Sequence, residues 1–256
     1  MAKKKNLYQD VLTAISRKER LLAVLIDPDK MKWEKVPDFM IKLNASLATH
    51  IFVGGSTVEE NQTDLLIQEV KRWTKLPLLI FPGDVSQLSS HADGLLFLSL
   101  VSGRNPDYLI GKQVEAVSVL RTMQLEIIPT GYLLIENGKE TAVERVTKTQ
   151  PLNRENIQNI VDTAKAAEFL GMKCIYLEAG SGAVDPINSK IIRAVKQELQ
   201  IPLIVGGGIK SKKQLDGAYE FGADLVVIGT AFEENELFFE EIKAPIEFEH
   251  LSNEEK

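Results

Sequence analysis

The sequence predicts an α/β protein that folds as one domain over residues 1–256, a (β/α)8 TIM barrel whose third helix is missing or reduced. Eight apolar runs rich in β-branched residues recur along the chain, and they are continuously apolar, as parallel strands buried on both faces are. Helix-periodic segments separate most of these runs, and this alternation is typical of a parallel sheet with helical crossovers. The length agrees, because such barrels have about 250 residues.

The individual elements are assigned from apolar periodicity and from the turns between them. A helix over about residues 3–18 opens the chain, since Leu7, Val11 and Ile15 recur at helical spacing. The predicted strands cover residues 21–27, 50–56, 77–83, 94–102, 126–135, 174–180, 202–208 and 224–230. The predicted helices between them cover residues 31–43, 58–73, 107–121, 153–169, 187–199 and 211–221.

Three segments depart from a regular barrel. Residues 84–93 are too few for a crossover helix with its turns, so we expect the third helix to be absent and the outer wall to be open there. Residues 136–152 are polar and long for a barrel loop, which predicts a lid or rim segment. The acidic chain after about residue 240 is expected to be loose.

Composition excludes several classes of protein. A net charge of −6 argues against a nucleic-acid-binding protein, which needs a basic surface. The single cysteine, Cys174, excludes an internal disulfide, and its apolar neighbours predict a buried, inert thiol. The chain has no recognisable signal peptide and no apolar stretch of about 20 residues, which a membrane-spanning helix needs. We therefore expect a soluble cytoplasmic protein without stable membrane insertion.

Glycine-rich turns follow the last three predicted strands. Gly206, Gly207 and Gly208 follow the seventh strand, and Gly229 and Thr230 follow the eighth. Successive backbone N–H groups in such turns form anion-binding nests, and the loops after strands 7 and 8 of a TIM barrel commonly bind phosphate. These turns predict a phosphorylated substrate, but isomerases, aldolases and flavin enzymes share them.

An acid ends the sixth predicted strand. Glu178 stands immediately before a glycine-rich turn, at the barrel end where this fold carries its catalytic residues. We interpret Glu178 as a general base, or as an acceptor that orients a substrate hydroxyl. The alternative is a structural carboxylate that binds a neighbouring amide or a lysine. Tyr176 points to the same side of the strand and is equally compatible with a substrate contact or a contact between strands.

A second acid ends the first predicted strand. Asp27 precedes a proline and lies at the mouth, where one carboxylate together with substrate phosphates and water is a usual Mg²⁺ site. The alternative is helix capping, which fits Asp29 better than Asp27. Ser56 after the second strand is expected to be an N-cap, although beside a metal its hydroxyl completes the coordination. Arg104 after the fourth strand suits a diphosphate, or else a salt bridge to a rim acid.

Several motifs together resemble geranylgeranylglyceryl phosphate synthases and their bacterial relatives. The motifs are LIDPDK (25–30), FVGGST (52–57), IFPGD (80–84), SGRNPDYLIG (102–111), IPTGYLL (128–134), YLEAGSGA (176–183), VGGGI (205–209) and VIGTAFE (227–233). The resemblance runs from about residue 20 to about residue 240. It implies a barrel that lacks its third helix, as the short third connection also does.

The resemblance also implies an activity and its residues. It implies a Mg²⁺-dependent prenyltransferase of phospholipid biosynthesis, which joins sn-glycerol 1-phosphate to geranylgeranyl diphosphate or another long prenyl diphosphate and releases pyrophosphate. By resemblance Asp27 and Ser56 bind the metal, and Glu178 receives or orients the attacking hydroxyl. The implied glycerol phosphate site comprises Tyr176, Leu177, Glu178, Ala179, Gly180, Ser181, Gly182, Gly206, Gly207, Gly229 and Thr230. Some relatives have lysine where this chain has Leu25, and many have asparagine at Thr230.

Other functions are compatible with a phosphate-binding barrel. A sugar-phosphate isomerase or lyase would act without a prenyl diphosphate, and a flavin oxidoreductase would be yellow when purified. A barrel that only binds a phosphorylated metabolite has no need of the two mouth acids. The resemblance further implies a homo-oligomer, a dimer or a hexamer.

Overall fold

The computed structural model describes residues 6–235 and 237–244, and within them eight parallel strands close into a barrel in chain order. The strands are β1 (Leu21–Ile26), β2 (His50–Val53), β3 (Leu78–Ile80), β4 (Gly94–Leu100), β5 (Glu126–Leu134), β6 (Cys174–Glu178), β7 (Leu203–Gly206) and β8 (Leu225–Ile228). β8 pairs with β1, so the sheet has no edge. The predicted TIM-barrel fold is confirmed.

Helices surround the barrel on all sides but one. They are α1 (Leu7–Ser16), α2 (Val36–Asn44), α3 (Gln62–Val70), α4 (Lys112–Leu120), α5 (Ala142–Thr147), α6 (Ile157–Phe169), α7 (Ser189–Glu198), α8 (Lys212–Glu220), α9 (Thr230–Glu234) and α10 (Phe238–Glu241). Between β3 and β4 the chain makes only a short 3-10 turn, Val85–Gln87, which begins after Asp84. The reduced third helix is therefore confirmed.

The pleat of each strand separates two apolar layers. In β6, Cys174 and Tyr176 point into the barrel, whereas Ile175 and Leu177 belong to the outer layer that packs against the helices. Glu178 continues the inward set, since side chains on one face recur at every second residue. The alternation thus places Glu178 at the carboxyl end of the barrel interior.

Helix α1 lies across the amino-terminal end of the barrel. Leu7 is buried with the inward side chains of the strands, and the backbone N–H groups of Leu7 and Tyr8 both donate to the carboxylate of Glu126 at the start of β5. This carboxylate satisfies two of the donors that a helix N-terminus leaves without a partner. The opposite end of the barrel remains for a ligand. The expected helix began at about residue 3, and residues 1–5 lie outside the described residues.

The chain after the barrel packs against the α2–β2 loop. Ile242 is fully buried, its carbonyl accepts from Leu47 N–H at 2.8 Å, and Ala244 N–H donates to Ala45 at 3.1 Å. We expected a loose tail after about residue 240, but the chain is held as far as residue 244, because Phe238, Phe239 and Ile242 supply apolar anchors that the acidic composition conceals and Ala244 is hydrogen-bonded. The rest of that tail lies outside the described residues. No helix in the described part of the chain is long and apolar enough to cross a membrane.

Candidate active site

A cavity of about 470 Å³ opens at the carboxyl ends of the strands. It brings together residues from the turns after β1, β2, β6, β7 and β8, which lie between Asp27 and Thr230 in the sequence. The predicted site residues that line it are Asp27, Ser56, Tyr176, Glu178, Gly180, Ser181, Gly182, Gly207, Gly229 and Thr230. This end of a TIM barrel is where the fold holds its active sites.

Four predicted site residues do not line this cavity. Leu177 points into the outer layer, and Ala179 is buried beside the turn. Gly206 lies behind Tyr176, where an added Cβ would stand 2.2 Å from the tyrosine hydroxyl. Arg104 has φ of 55°, and its guanidinium donates to the carbonyl of Val101 and the hydroxyl of Thr163 on α6. Arg104 therefore lies outside the cavity and forms no salt bridge with a described acid, because its side chain turns towards the outer helices.

Glu178 is a buried carboxyl group with two hydrogen-bond donors. It is 6% exposed, its Oε1 accepts from the backbone N–H of Gly180 at 2.6 Å, and the hydroxyl of Tyr176 also binds it. Burial raises the pKa of Glu178 to about 7, although both hydrogen bonds act in the opposite direction. The capping of an amide, our structural alternative, is therefore present. It leaves a carboxylate that exchanges a proton near neutral pH.

Three aromatic rings form the floor beneath Glu178. The ring of Tyr176 lies 5.2 Å from that of Phe81 and 5.4 Å from that of Tyr132. Burial raises the pKa of Tyr176 and of Tyr132 well above the ordinary value, so both hydroxyls stay protonated at neutral pH. Tyr176 thus donates to Glu178. Sequence reasoning missed Phe81 and Tyr132, although the two-residue period of β5 places Tyr132 on its inward face.

The glycine-rich turns leave room for an anion beside Glu178. Gly207 has φ of +83°, and a Cβ there would stand 2.4 Å from Glu178 Oε1. Gly180 and Gly182 also have positive φ, a conformation that favours glycine and that occurs in anion-binding nests. The hydroxyls of Ser181 and Thr230 lie 3.4 Å apart, which joins the β6 turn to the β8 turn. Together these turns form one cradle of small, polar residues.

Asp27 lies on the other side of the mouth. Its side chain is 19% exposed, Oδ2 lies 3.5 Å from Lys30 Nζ, and Oδ1 accepts from the N–H of Asp29 at 3.1 Å. Gly55 leaves space in front of it, because a Cβ there would stand 2.9 Å from Asp27 Oδ1. Asp27 therefore faces the cavity, with a nearby cation and with backbone from the β2 turn.

The two neighbouring polar residues do not cap helices. Asp29 accepts from the N–H of Glu59 at 3.2 Å and so ties the β1 turn to the β2 turn. Ser56 was expected to be an N-cap, which is wrong, because α3 begins only at Gln62 and Asn61 precedes it. Ser56 lines the cavity near Asp27 instead. No cluster of three His, Cys, Asp or Glu side chains exists in the described ranges, so a cation here would rely on Asp27, Ser56 and ligand oxygens.

An apolar groove leads away from the polar part of the cavity. Leu88, Leu95, Phe97 and Ala116 line it. Leu95 and Phe97 belong to the outer layer, so the cavity passes from the barrel interior to its outside between the 3-10 turn and α4. This passage exists because the third helix, which would cover β3 and β4, is reduced to one turn.

The segment predicted as a lid or rim lies over the mouth. Helix α5 begins with a capping box between Thr141 and Glu144, and Val143 and Val146 line the cavity. The hydroxyl of Tyr108 donates to the carbonyl of Val146 at 3.2 Å, which holds the helix against the chain after β4. The apolar side of α5 therefore covers the entrance to the groove.

Comparisons with known proteins agree on one family. A profile of the PcrB family matches residues 14–246. The chain is 55% identical to a geranylgeranylglyceryl phosphate synthase of Flavobacterium johnsoniae over 91% of this chain and 96% of that one, and 40% identical to one of Korarchaeum cryptofilum over 84% and 88%. A crystal structure of (S)-3-O-geranylgeranylglyceryl phosphate synthase from Thermoplasma acidophilum, in complex with sn-glycerol-1-phosphate, superposes with a TM-score of 0.86 at 32% identity over 93% and 95% of the two chains.

Proposed function

Because this chain is a prenyltransferase that belongs to the PcrB family, we propose that it joins sn-glycerol 1-phosphate to geranylgeranyl diphosphate. The products are 3-O-geranylgeranylglyceryl phosphate and pyrophosphate. One observation carries the proposal: a single cavity contains a glycine cradle with a buried acid at one side and an apolar groove at the other. The glycine cradle and its acid suit a small phosphorylated alcohol, and the apolar groove suits a long prenyl donor.

Each substrate has a matching part of the cavity. The phosphate of the acceptor binds at the turns of Gly180 to Gly182, Gly207 and Gly229 to Thr230, where the backbone is accessible. The prenyl chain lies in the groove between the 3-10 turn and α4. The diphosphate then lies near Asp27 and Lys30, between the two. The T. acidophilum structure supports the acceptor, since that protein is in complex with sn-glycerol-1-phosphate.

The chemistry needs one proton acceptor and a stabilised leaving group. The hydroxyl oxygen of the acceptor forms a bond to the first carbon of the prenyl chain, the bond from that carbon to the diphosphate breaks, and pyrophosphate carries away the electron pair. Glu178 takes the hydroxyl proton, and Tyr176 holds the carboxylate in place by donating to it. Because the allylic carbon becomes cationic, catalysis consists mainly of positioning and preorganised charge.

We propose Mg²⁺ as the cofactor, bound by Asp27 and Ser56. One carboxylate and one hydroxyl in front of a glycine, with substrate phosphate oxygens and water, suit the preference of this ion for oxygen ligands. When bound, Mg²⁺ supplies Lewis-acid stabilisation of the leaving diphosphate. Lys30 adds a positive charge beside Asp27.

The proposal is tested by a matrix of substrates with the purified full-length protein. Acceptors are sn-glycerol 1-phosphate and its enantiomer, and donors are prenyl diphosphates of several lengths, each with Mg²⁺ or with EDTA. We expect ether formation and pyrophosphate release with sn-glycerol 1-phosphate, a long donor and Mg²⁺. Turnover of a sugar phosphate without any prenyl donor, or undiminished transfer in EDTA, would contradict the proposal. Assembly as a dimer or hexamer is a separate prediction, which light scattering of the same sample checks.

A further inference from the structure

Asn137 is a buried polar residue that no motif of the chain singles out. It follows β5 at the start of the rim segment and is 8% exposed. Its Nδ2 donates to the carbonyl of Ala179 at 2.8 Å, and its Oδ1 has no partner among the described residues. The orientation of the side-chain amide is settled chemically, since a carbonyl only accepts and therefore selects the NH2 group. Burying an amide with one atom unpaired costs free energy of folding. The hydrogen bond to Ala179 therefore points to a role for this side chain.

The carbonyl that Asn137 binds belongs to the same peptide group that binds the catalytic acid. The C=O of Ala179 and the N–H of Gly180 are the two ends of one planar trans peptide, and they point in opposite directions. Asn137 binds one end at 2.8 Å, and Glu178 Oε1 accepts from the other at 2.6 Å. The three groups form a chain of two hydrogen bonds that polarise one another through the peptide.

This peptide needs a restraint from outside the turn. Gly180 has φ of +102°, and glycine crosses to other backbone conformations more readily than any other residue. If the peptide turned over, a carbonyl would face Glu178 in place of an N–H. Thr141 restricts the glycine from one side, since an added Cβ on Gly180 would stand 2.5 Å from Thr141 Cγ2. Asn137 is the group that selects the direction of the peptide by hydrogen bonding.

We propose that Asn137 is a positioning residue that holds the Ala179–Gly180 peptide with its N–H on Glu178, and so keeps this carboxylate able to accept the hydroxyl proton near neutral pH. The catalytic consequence rests on the proposed function, whereas the contact itself does not. The other titratable groups that face Glu178 are Tyr176 from its own strand and Tyr132 from β5, and β7 presents only glycine there. If the peptide turned over, neither tyrosine could move to replace the N–H of Gly180, because ring packing with Phe81 fixes the position of both hydroxyls.

The experiment measures the titration of Glu178 directly in the full-length protein. Glutamate is labelled with ¹³C at the side-chain carboxyl, and the Glu178 signal is identified as the one missing from Glu178→Gln. In Asn137→Leu we expect the pKa of Glu178 to rise by about one pH unit, which is about a tenfold increase in proton affinity, because a hydrogen bond to the charged form is lost. Asn137→Ala also removes the donor without adding a charge and is expected to raise the pKa as well.

Activity provides the second readout, with a matched control. The acid limb of the pH dependence of kcat/KM should move to higher pH by the same amount as the pKa in both variants, while kcat/KM at high pH stays within about twofold of wild type. Glu136→Gln, at the exposed neighbouring position, should change neither measurement. An unchanged pKa of Glu178 in both Asn137 variants would overturn the inference. Failure of the wild type to transfer a prenyl group would overturn the proposed function only, since the NMR titration needs no substrate.

Discussion

The two acids of the cavity, Glu178 and Asp27, differ in exposure, in hydrogen-bond partners and in nearby charge. Glu178 is 6% exposed, meets a tyrosine hydroxyl and one backbone N–H, and has its pKa raised to about 7 by burial. Asp27 has a more exposed side chain, lies 3.5 Å from a lysine, and faces open backbone of the β2 turn. One carboxyl group is thus suited to exchange a proton, and the other lies open to the cavity beside a lysine.

This difference has a cause in the local chain. Glu178 ends β6, and the inward-facing side chains next to it are the aromatic rings of Tyr176 and Tyr132. Gly207 in the β7 turn lets the backbone approach the Glu178 carboxylate closely. Asp27 follows a strand whose neighbouring turn consists of small residues, so its side chain is open to the cavity. Two carboxylates at the same end of one barrel therefore acquire different chemistry from their surroundings alone.

The largest effect is expected for Glu178→Gln, which removes the proposed proton acceptor and keeps the shape of the side chain. We expect kcat to fall by about 10²- to 10⁴-fold, the usual contribution of a general base, with little change in the Kd of the prenyl diphosphate. Rapid-quench kinetics and donor binding measure the two quantities separately. Unchanged kcat would assign Glu178 to a structural role.

The same variant tests the cost of burying Glu178. Its folded-state pKa of about 7 lies above the ordinary value of 4.5, so the folded state holds the proton more tightly and the carboxylate destabilises it as the pH rises from about 4.5 to 7. The penalty is complete above pH 7. Glu178→Gln should therefore have a higher Tm than wild type at high pH and a similar Tm at low pH.

The next effect in size is expected for Asp27→Asn, which removes a charge at the proposed position of the leaving group. We expect a loss of about 10²-fold or more in kcat/KM, as for other preorganised stabilisers, and a higher Mg²⁺ concentration for half-maximal rate. Asp29→Asn is the matched control, because Asp29 accepts from the N–H of Glu59 and asparagine keeps that acceptor. Equal losses in both variants would refute the assignment of the metal to Asp27.

A smaller effect is expected for Gly207→Ala, which alters the cradle on the Glu178 side. The residue has φ of +83° and its Cβ would meet Glu178 Oε1 at 2.4 Å, so we expect a stability loss of about 1–3 kcal/mol and about a tenfold higher KM for glycerol phosphate. Gly217→Ala in α8 is the control, because nothing lies within 4 Å of its Cβ. That change should instead stabilise by about 0.5–1 kcal/mol.

The smallest effect is expected for Ala116→Phe, which fills the groove from α4. We expect a severalfold increase in KM for geranylgeranyl diphosphate and a smaller one for a shorter donor, because only the long chain reaches this point. Val117→Phe, an exposed position on the same helix, should leave both values unchanged. Equal effects of Ala116→Phe on long and short donors would place the prenyl chain elsewhere.

Much of this architecture could be predicted because the signals are local. Continuous apolar runs predict the strands of a parallel barrel, and the ten residues of 84–93 predict the absent helix from chain length alone. Strand ends were predicted too late by one to three residues. For example, β7 ends at Gly206 because Gly207 and Gly208 adopt positive φ and leave the ladder.

The site was harder to predict where it depends on side-chain direction. Asp27 and Glu178 line the cavity because they end inward-facing strands, which the pattern indicates. Arg104 stands at a comparable rim position, yet its positive φ turns the guanidinium to Thr163, and no sequence signal distinguishes the two cases. Asn137 acts through a peptide that is 42 residues away along the chain, which periodicity does not reveal.

The most direct test of the contrast between the two acids is the pH dependence of kcat/KM in wild type and in Glu178→Gln. The ratio of the two profiles removes the titration of the substrate phosphates, which both proteins share. We expect the ratio to fall about tenfold per pH unit below a midpoint near the Glu178 pKa of about 7, and Asp27→Asn to retain that limb. A ratio that stays constant from about pH 5.5 to pH 8 would contradict the role of Glu178 as the proton acceptor.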